Sequence, residues 1–185
     1  HKMSPERICS AVVYIAEAIT AGLYFKVFFA PKKTAKVRVT LLTIVYFLLW
    51  LSFQLGNFFV NALLFFAGNL VLILLCYATG KPAAILHAAF MTLVMVLTEV
   101  IVMVLLSSIF GDFGAFTYNL IAQIVTSVLS KILYFSVILA FSRIYGSRRK
   151  AKEEPYFVLL ICLLPAASMV ISIMIMYVGV TVQLT

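Results

Sequence analysis

Charge is scarce in this chain. Asp, Glu, Lys and Arg together make up 11% of its 185 residues, and only six of those are acidic. A water-soluble domain carries about 25% charged residues, so this one has too few to cover its surface. Cysteine is scarce too. Cys9, Cys76 and Cys162 lie far apart inside apolar runs and form neither a CxxC nor a CxxH pattern, which argues against disulfide, metal and redox chemistry. There is no GxxxxGK[ST] loop for nucleotide phosphates and no acidic cluster for a divalent cation. Nor is there a Ser/His/Asp or Cys/His set in a plausible site. No cofactor and no metal are expected, and the chain on its own is not expected to be an enzyme.

What the chain does have is apolar length. Hydrophobic residues make up 65% of it and the mean hydropathy is +1.17. A bilayer-spanning helix needs about 20 mostly apolar residues. Six such runs are present, at about 8–29, 39–56, 58–79, 82–110, 115–142 and 156–180. They are continuous and about twice the length of a transmembrane β-strand, which excludes a barrel. The expected fold is therefore all-α, a polytopic membrane helix bundle with six transmembrane helices forming one domain over 1–185.

Short polar breaks separate the runs. Pro31, Lys32 and Lys33 end the first, Gly56 and Asn57 reverse the chain after the second, and Gly80, Lys81 and Pro82 precede the fourth. Residues 111–114 form a short loop, and Gly146 and Ser147 open a charged linker that closes at Pro155. Connections this short make successive helices antiparallel neighbours.

The basic residues set the expected orientation. Eleven of the fourteen Lys and Arg fall in or near the first, third and fifth connections, and none in the second and fourth. By the positive-inside rule the odd loops are cytoplasmic, which leaves the N-terminus and Thr185 outside. The +8 net charge then reads as a topology signal and a contact for anionic headgroups, not as a nucleic-acid surface. The first run carries Glu17 and is too long for a signal-peptide core. His1 and Lys2 precede Met3, so either Met3 is the natural start or the chain is trimmed.

Four ionisable residues fall inside the runs: Glu17, His87, Glu99 and Lys131. Each is costly in hydrocarbon and by default faces the bundle interior, pairs, or marks a function. Counting about 1.5 Å per residue from the nearest basic residue puts Glu17 roughly 13 Å and Lys131 roughly 18 Å from the cytoplasmic edge, with Glu99 roughly 27 Å from it. Glu17 and Lys131 are thus the best-matched pair, and Glu99 with Lys131 the runner-up. Two roles stay open: a buried ion pair that fixes helix register, or a switchable polar element. His87 has no metal-ligating partner at i+3 or i+4, where Phe90 and Met91 stand. A hydrogen bond to a neighbouring helix suits it better than a proton relay.

A second polar set lies toward the outer face. Gln54, Asn57, Asn61, Asp112, Asn119 and Gln123, with Phe58, Phe59, Phe113, Phe116 and Tyr118, suit an outward pocket for a small hydrophobic peptide or lipid-like ligand. Interhelical amide contacts and an interfacial aromatic belt account for the same residues. Asn69 belongs to this amide set, deeper in the third run.

Several strings are less generic than their apolar surroundings: YIAEAITAGLYF in the first run, AILHAAFMTLVMVLTEVIV in the fourth, LSKILYF in the fifth and EEPYFVLLICLLPAASMVISI in the sixth. Over roughly residues 8–180 the chain resembles the N-terminal membrane region of sensor histidine kinases with a GHKL-type ATPase, the group that includes the accessory-gene-regulator (peptide quorum) sensors. The resemblance implies a bacterial plasma-membrane receptor, working as a homodimer, that senses an extracellular peptide and controls a cytoplasmic kinase. No kinase domain is in this chain, and His87, inside a span, is not the phospho-acceptor. A further span beyond Thr185 would be needed to return to the cytoplasm. Two other classes remain: the substrate-binding membrane subunit of a vitamin-type importer, and a small transporter using Glu17, His87 and Lys131.

Overall fold

A computed structural model of the chain describes residues 5–53, 58–110, 120–148 and 168. Five helices account for most of them: α1 (Pro5–Phe28), α2 (Ala35–Phe53), α3 (Phe58–Cys76), α4 (Lys81–Phe110) and α5 (Leu120–Arg148). All five are long and apolar enough to cross a membrane. The sixth expected span, about 156–180, lies outside the described residues except for helical Ser168, as do the turn at Gly56 and Asn57 and the loop at 111–114.

Helix boundaries follow local chemistry. Pro5 opens α1 and Pro82 sits in the first turn of α4, where the missing amide hydrogen leaves no bond unmade. Thr34 precedes α2, and its carbonyl accepts the Arg38 amide at 3.1 Å. One boundary departs from expectation. The apolar run ends near 142, yet α5 continues through Gly146 to Arg148. Leaving the hydrocarbon does not break a helix, and basic residues in the last turns suit its negative C-terminal end. Gly146 is explained by closeness: a Cβ there would stand 2.5 Å from Val27 Cγ1 on α1. Gly68 serves α2 and α3 in the same way, with a Cβ 2.9 Å from Val45 Cγ1. Small residues where helix backbones approach are a feature of membrane bundles.

A two-residue ladder, unexpected from the sequence, ties two loops together. β1 (Ala30–Pro31) pairs antiparallel with β2 (Tyr77–Ala78), Ala30 opposite Ala78 and Pro31 opposite Tyr77. The Lys32 and Lys33 amides both donate to the Cys76 carbonyl, at 2.9 and 3.3 Å. The α1–α2 and α3–α4 connections therefore lie at the same end of the bundle, called here the ladder end. Arg38 stacks over the Tyr77 ring there, 5.6 Å from its centroid.

The helices close into a ring. α1 packs on α2 and α5, α2 on α3, α3 on α4, and α4 on α5. The polarity of α1 is inverted relative to a soluble helix. Ile8, Val12, Ile15, Ile19 and Leu23, spaced three and four apart, form an exposed apolar stripe. Tyr14, Glu17, Ala21, Tyr24 and Phe28, at the same spacing, are buried. An apolar exterior with its polar groups turned inward is what a lipid solvent selects. The chain is a helical membrane protein in contact with the bilayer.

Candidate functional site

The site is a buried ion triad built on three helices. Glu17 comes from the inward stripe of α1, Glu99 from α4 and Lys131 from α5. Lys131 Nζ lies 2.8 Å from Glu17 Oε1 and donates to Glu99 Oε1 at 2.5 Å. The ammonium thus bridges both carboxylates. Depth counting separates Glu99 from Lys131 by more than a turn, but α4 has 30 residues and is about 45 Å long, well over the roughly 30 Å of hydrocarbon. Depth along so long a helix does not map one-to-one onto residue count, and the flexible stems of Lys and Glu close the remaining gap.

The two carboxylates differ in access. The Glu17 side chain is 1% exposed and that of Glu99 is 25% exposed. With all three groups ionised the triad carries one net negative charge. Removing one member of a buried pair costs roughly 3–5 kcal/mol, because the partner is left charged and dry. Neither Glu17 carboxylate oxygen has a donor in hydrogen-bond geometry among the described residues, Oε1 being held by the ion pair alone. One turn beyond Lys131, the fully buried Tyr134 hydroxyl also lacks a partner among them, and it lies within electrostatic reach of Glu17.

Tyrosines surround the triad and pair with amides. Tyr14 donates to Asn61 Oδ1 at 3.0 Å, joining α1 to α3. Tyr46 donates to Asn69 Oδ1 at 3.0 Å, joining α2 to α3, and Asn69 Nδ2 donates to the Phe65 carbonyl at 2.9 Å. Both tyrosines feel the Glu17 charge. At the N-terminal end of α1, Trp50 Nε1 donates to Ser10 Oγ at 3.0 Å.

His87 belongs to a different environment, toward the ladder end. Its Nδ1 shares a 2.7 Å hydrogen bond with the Tyr24 hydroxyl. Phe29 meets its ring edge-on at 4.7 Å between centroids, and Phe28 lies 5.2 Å away. Phe90 and Phe141 extend the cluster at 4.5 Å from one another. His87 is therefore a helix-linking group in an aromatic cage, one turn or more from the triad along α1.

Of the expected pocket residues, Gln54, Asn57, Asp112 and Asn119 lie outside the described residues. Gln123 is in the first turn of α5, and Asn61 is half-buried with its carbonyl oxygen on Tyr14. Among the described residues no three His, Cys, Asp or Glu converge as metal ligands. Cys9 and Cys76 are free thiols. Sequence reasoning passed over Tyr14, Tyr24, Tyr46 and Tyr134. A signal was present: Tyr14 and Tyr24 stand at i−3 and i+7 from Glu17, and Tyr134 at i+3 from Lys131, each on the same helix face as the charge. No protein family, no curated protein and no solved structure matches the chain.

Proposed function

We propose that the chain is the membrane sensor domain of a bacterial two-component sensor histidine kinase. In this reading it has six spans, the five described helices and a sixth at about 156–180, with the N-terminus outside the plasma membrane. It detects an extracellular peptide or small hydrophobic ligand, works as a homodimer, and passes the signal to a cytoplasmic kinase without catalytic residues of its own.

The observation that carries the reading is the Glu17–Lys131–Glu99 triad. A receptor in a bilayer needs an element with two discrete arrangements whose balance a ligand can shift. One ammonium in contact with two carboxylates of unequal burial fits that need, the second arrangement in this reading being Lys131 on one of them alone. The triad also joins α1, α4 and α5, so any redistribution of its bonds changes how these helices pack. The reading is also supported by the less generic strings YIAEAITAGLYF, AILHAAFMTLVMVLTEVIV and LSKILYF, which resemble that receptor family and carry Glu17, Glu99 and Lys131.

The reading frame past Thr185, followed by an assay of its product, tests the proposal. An in-frame further span, a phospho-accepting histidine and an ATP-binding region are expected. ATP-dependent autophosphorylation of that product in nanodiscs should change when Lys131 is replaced by Met. A stop codon beside genes for ATPase subunits would overturn the receptor reading in favour of an importer subunit.

A further inference from the structure

The charge count of the triad is unfinished. Two carboxylates share one ammonium, and no other Lys or Arg among the described residues pairs with either. The remaining described Lys and Arg are remote in position: Lys26, Lys32, Lys33, Lys36, Arg38, Lys81, Arg143 and Arg148 fall toward the ladder end, and Arg7 is exposed near the start of α1. In a medium this poor in solvation an uncompensated carboxylate attracts any cation that can reach it. Only Glu99, with a quarter of its side chain open, can be reached.

The hydrogen-bond inventory has a matching gap. A lysine ammonium has three donors. Lys131 donates to Glu99 Oε1 and stands 2.8 Å from Glu17 Oε1 as an ion pair, while neither Glu17 oxygen has a donor in hydrogen-bond geometry among the described residues. The buried Tyr134 hydroxyl, one turn further along the Lys131 face of α5, is also without a partner among them. A second cation on Glu99 would free Lys131 to turn wholly onto Glu17 and hydrogen-bond the carboxylate now left without a donor.

The surroundings select the kind of cation. No third acid is present to complete a divalent metal site among the described residues. The α4 residues around Glu99 are apolar: Val96, Val100 and Val102 are buried beside it, and Val104 and Leu105 further along the helix are exposed. A single carboxylate in an apolar strip suits an organic ammonium on a hydrocarbon stem, and it repels an anionic ligand.

We propose that Glu99 is the docking carboxylate for an ammonium group carried on an apolar ligand, which takes over the Glu99 arm of the triad while Lys131 stays on Glu17. The amine of a peptide and the ethanolamine headgroup of a lipid offer the same chemistry. This deepens the receptor reading and rests on it for the ligand's role, but the site itself does not depend on a kinase.

The test uses the full chain in phosphatidylglycerol nanodiscs with n-hexylammonium chloride as the probe, and n-hexanol and sodium chloride at equal concentration as controls. The thermal midpoint should rise with hexylammonium by at least twice the change seen with hexanol, and sodium chloride should not reproduce the rise. Glu99→Gln should abolish the difference between amine and alcohol. Glu99→Asp keeps the charge but draws back from Lys131, so it should retain the difference even where the Gln variant folds poorly. If phosphatidylethanolamine in the nanodisc gives the same rise and leaves hexylammonium nothing to add, a lipid headgroup is the source of the ammonium at this site. Equal shifts with amine and alcohol, an amine-specific shift that survives in Glu99→Gln, or full reproduction by sodium chloride would overturn the proposal. A frame without a kinase past Thr185 would remove the receptor reading and leave this result standing.

Discussion

Toward the ladder end, the interior of the bundle is aromatic. Tyr24, Phe28, Phe29, Phe90 and Phe141 enclose His87, and their contacts are spread over several helices. Further along the same helices the interior is ionic, with Glu17, Lys131 and Glu99 meeting at one ammonium. Ring contacts are individually weak and tolerate small rotations. A shared ammonium does not, because each of its hydrogen bonds is directional and each lost partner leaves a buried charge. The aromatic end is thus suited to hold the helices in fixed order, reinforced by the β1–β2 ladder. The ionic region is suited to change state.

The largest effect should come from removing the shared cation. Lys131→Met leaves two carboxylates together and should cost about 3–5 kcal/mol, read as a lower unfolding midpoint in micelles or as loss of folded yield. Next, the two acids should separate by burial. Glu17→Gln leaves Lys131 balanced by Glu99 and loses only a buried contact to a charged group, so it should cost about 2 kcal/mol. Glu99→Gln, partly exposed, should cost about 1 kcal/mol. Equal costs would erase the asymmetry on which the switch reading depends. Exchanging charges sharpens the point: Glu17→Lys with Lys131→Glu restores one ammonium and two carboxylates, so folded yield should recover over Lys131→Glu alone, and adding Glu99→Gln, which removes the acid facing the new carboxylate, should raise it further.

Smaller effects probe what lies outside the triad. Gly68→Ala brings a methyl to 2.9 Å from Val45 Cγ1 and should cost about 1–2 kcal/mol by forcing α2 and α3 apart. At the aromatic end, Tyr24→Phe keeps the ring and deletes only the hydrogen bond to His87, so about 0.6 kcal/mol is expected, the typical value for an interhelical hydrogen bond in a membrane. A loss of several kcal/mol on Tyr24→Phe would show that this end is also held by polar bonds, and the contrast between the two regions would fail.

Much of the architecture was legible in the sequence because bilayer thickness and backbone hydrogen bonding leave few choices. Five of the expected runs coincide with helices to within a few residues at most ends, and the departure at the C-terminal end of α5 falls where polarity changes while the helix continues through Gly146. The pairing of Glu17 with Lys131 was also readable, since both depths were measured from nearby basic residues. Glu99 ranked second because it sits deep in a helix longer than the bilayer, where residue count overstates height. The tyrosine–amide bonds were not readable. Tyr14 with Asn61 reaches from α1 to α3, which are not neighbours in the ring, and Tyr46 with Asn69 requires knowing which faces of α2 and α3 meet; hydropathy encodes neither. The His87 cage needed the same knowledge, since its rings come from α1, α4 and α5.

The central claim is that one ammonium serves two carboxylates at once. Solid-state NMR distance measurement between 15Nζ-labelled Lys131 and 13Cδ-labelled glutamate in lipid tests it most directly, with Glu17→Gln and Glu99→Gln assigning the two carbons. Two distinct carboxylates within hydrogen-bonding range of Lys131 Nζ are expected, each lost with its own variant. A single short contact to Glu17, with Glu99 beyond range in the same sample, would contradict the shared triad.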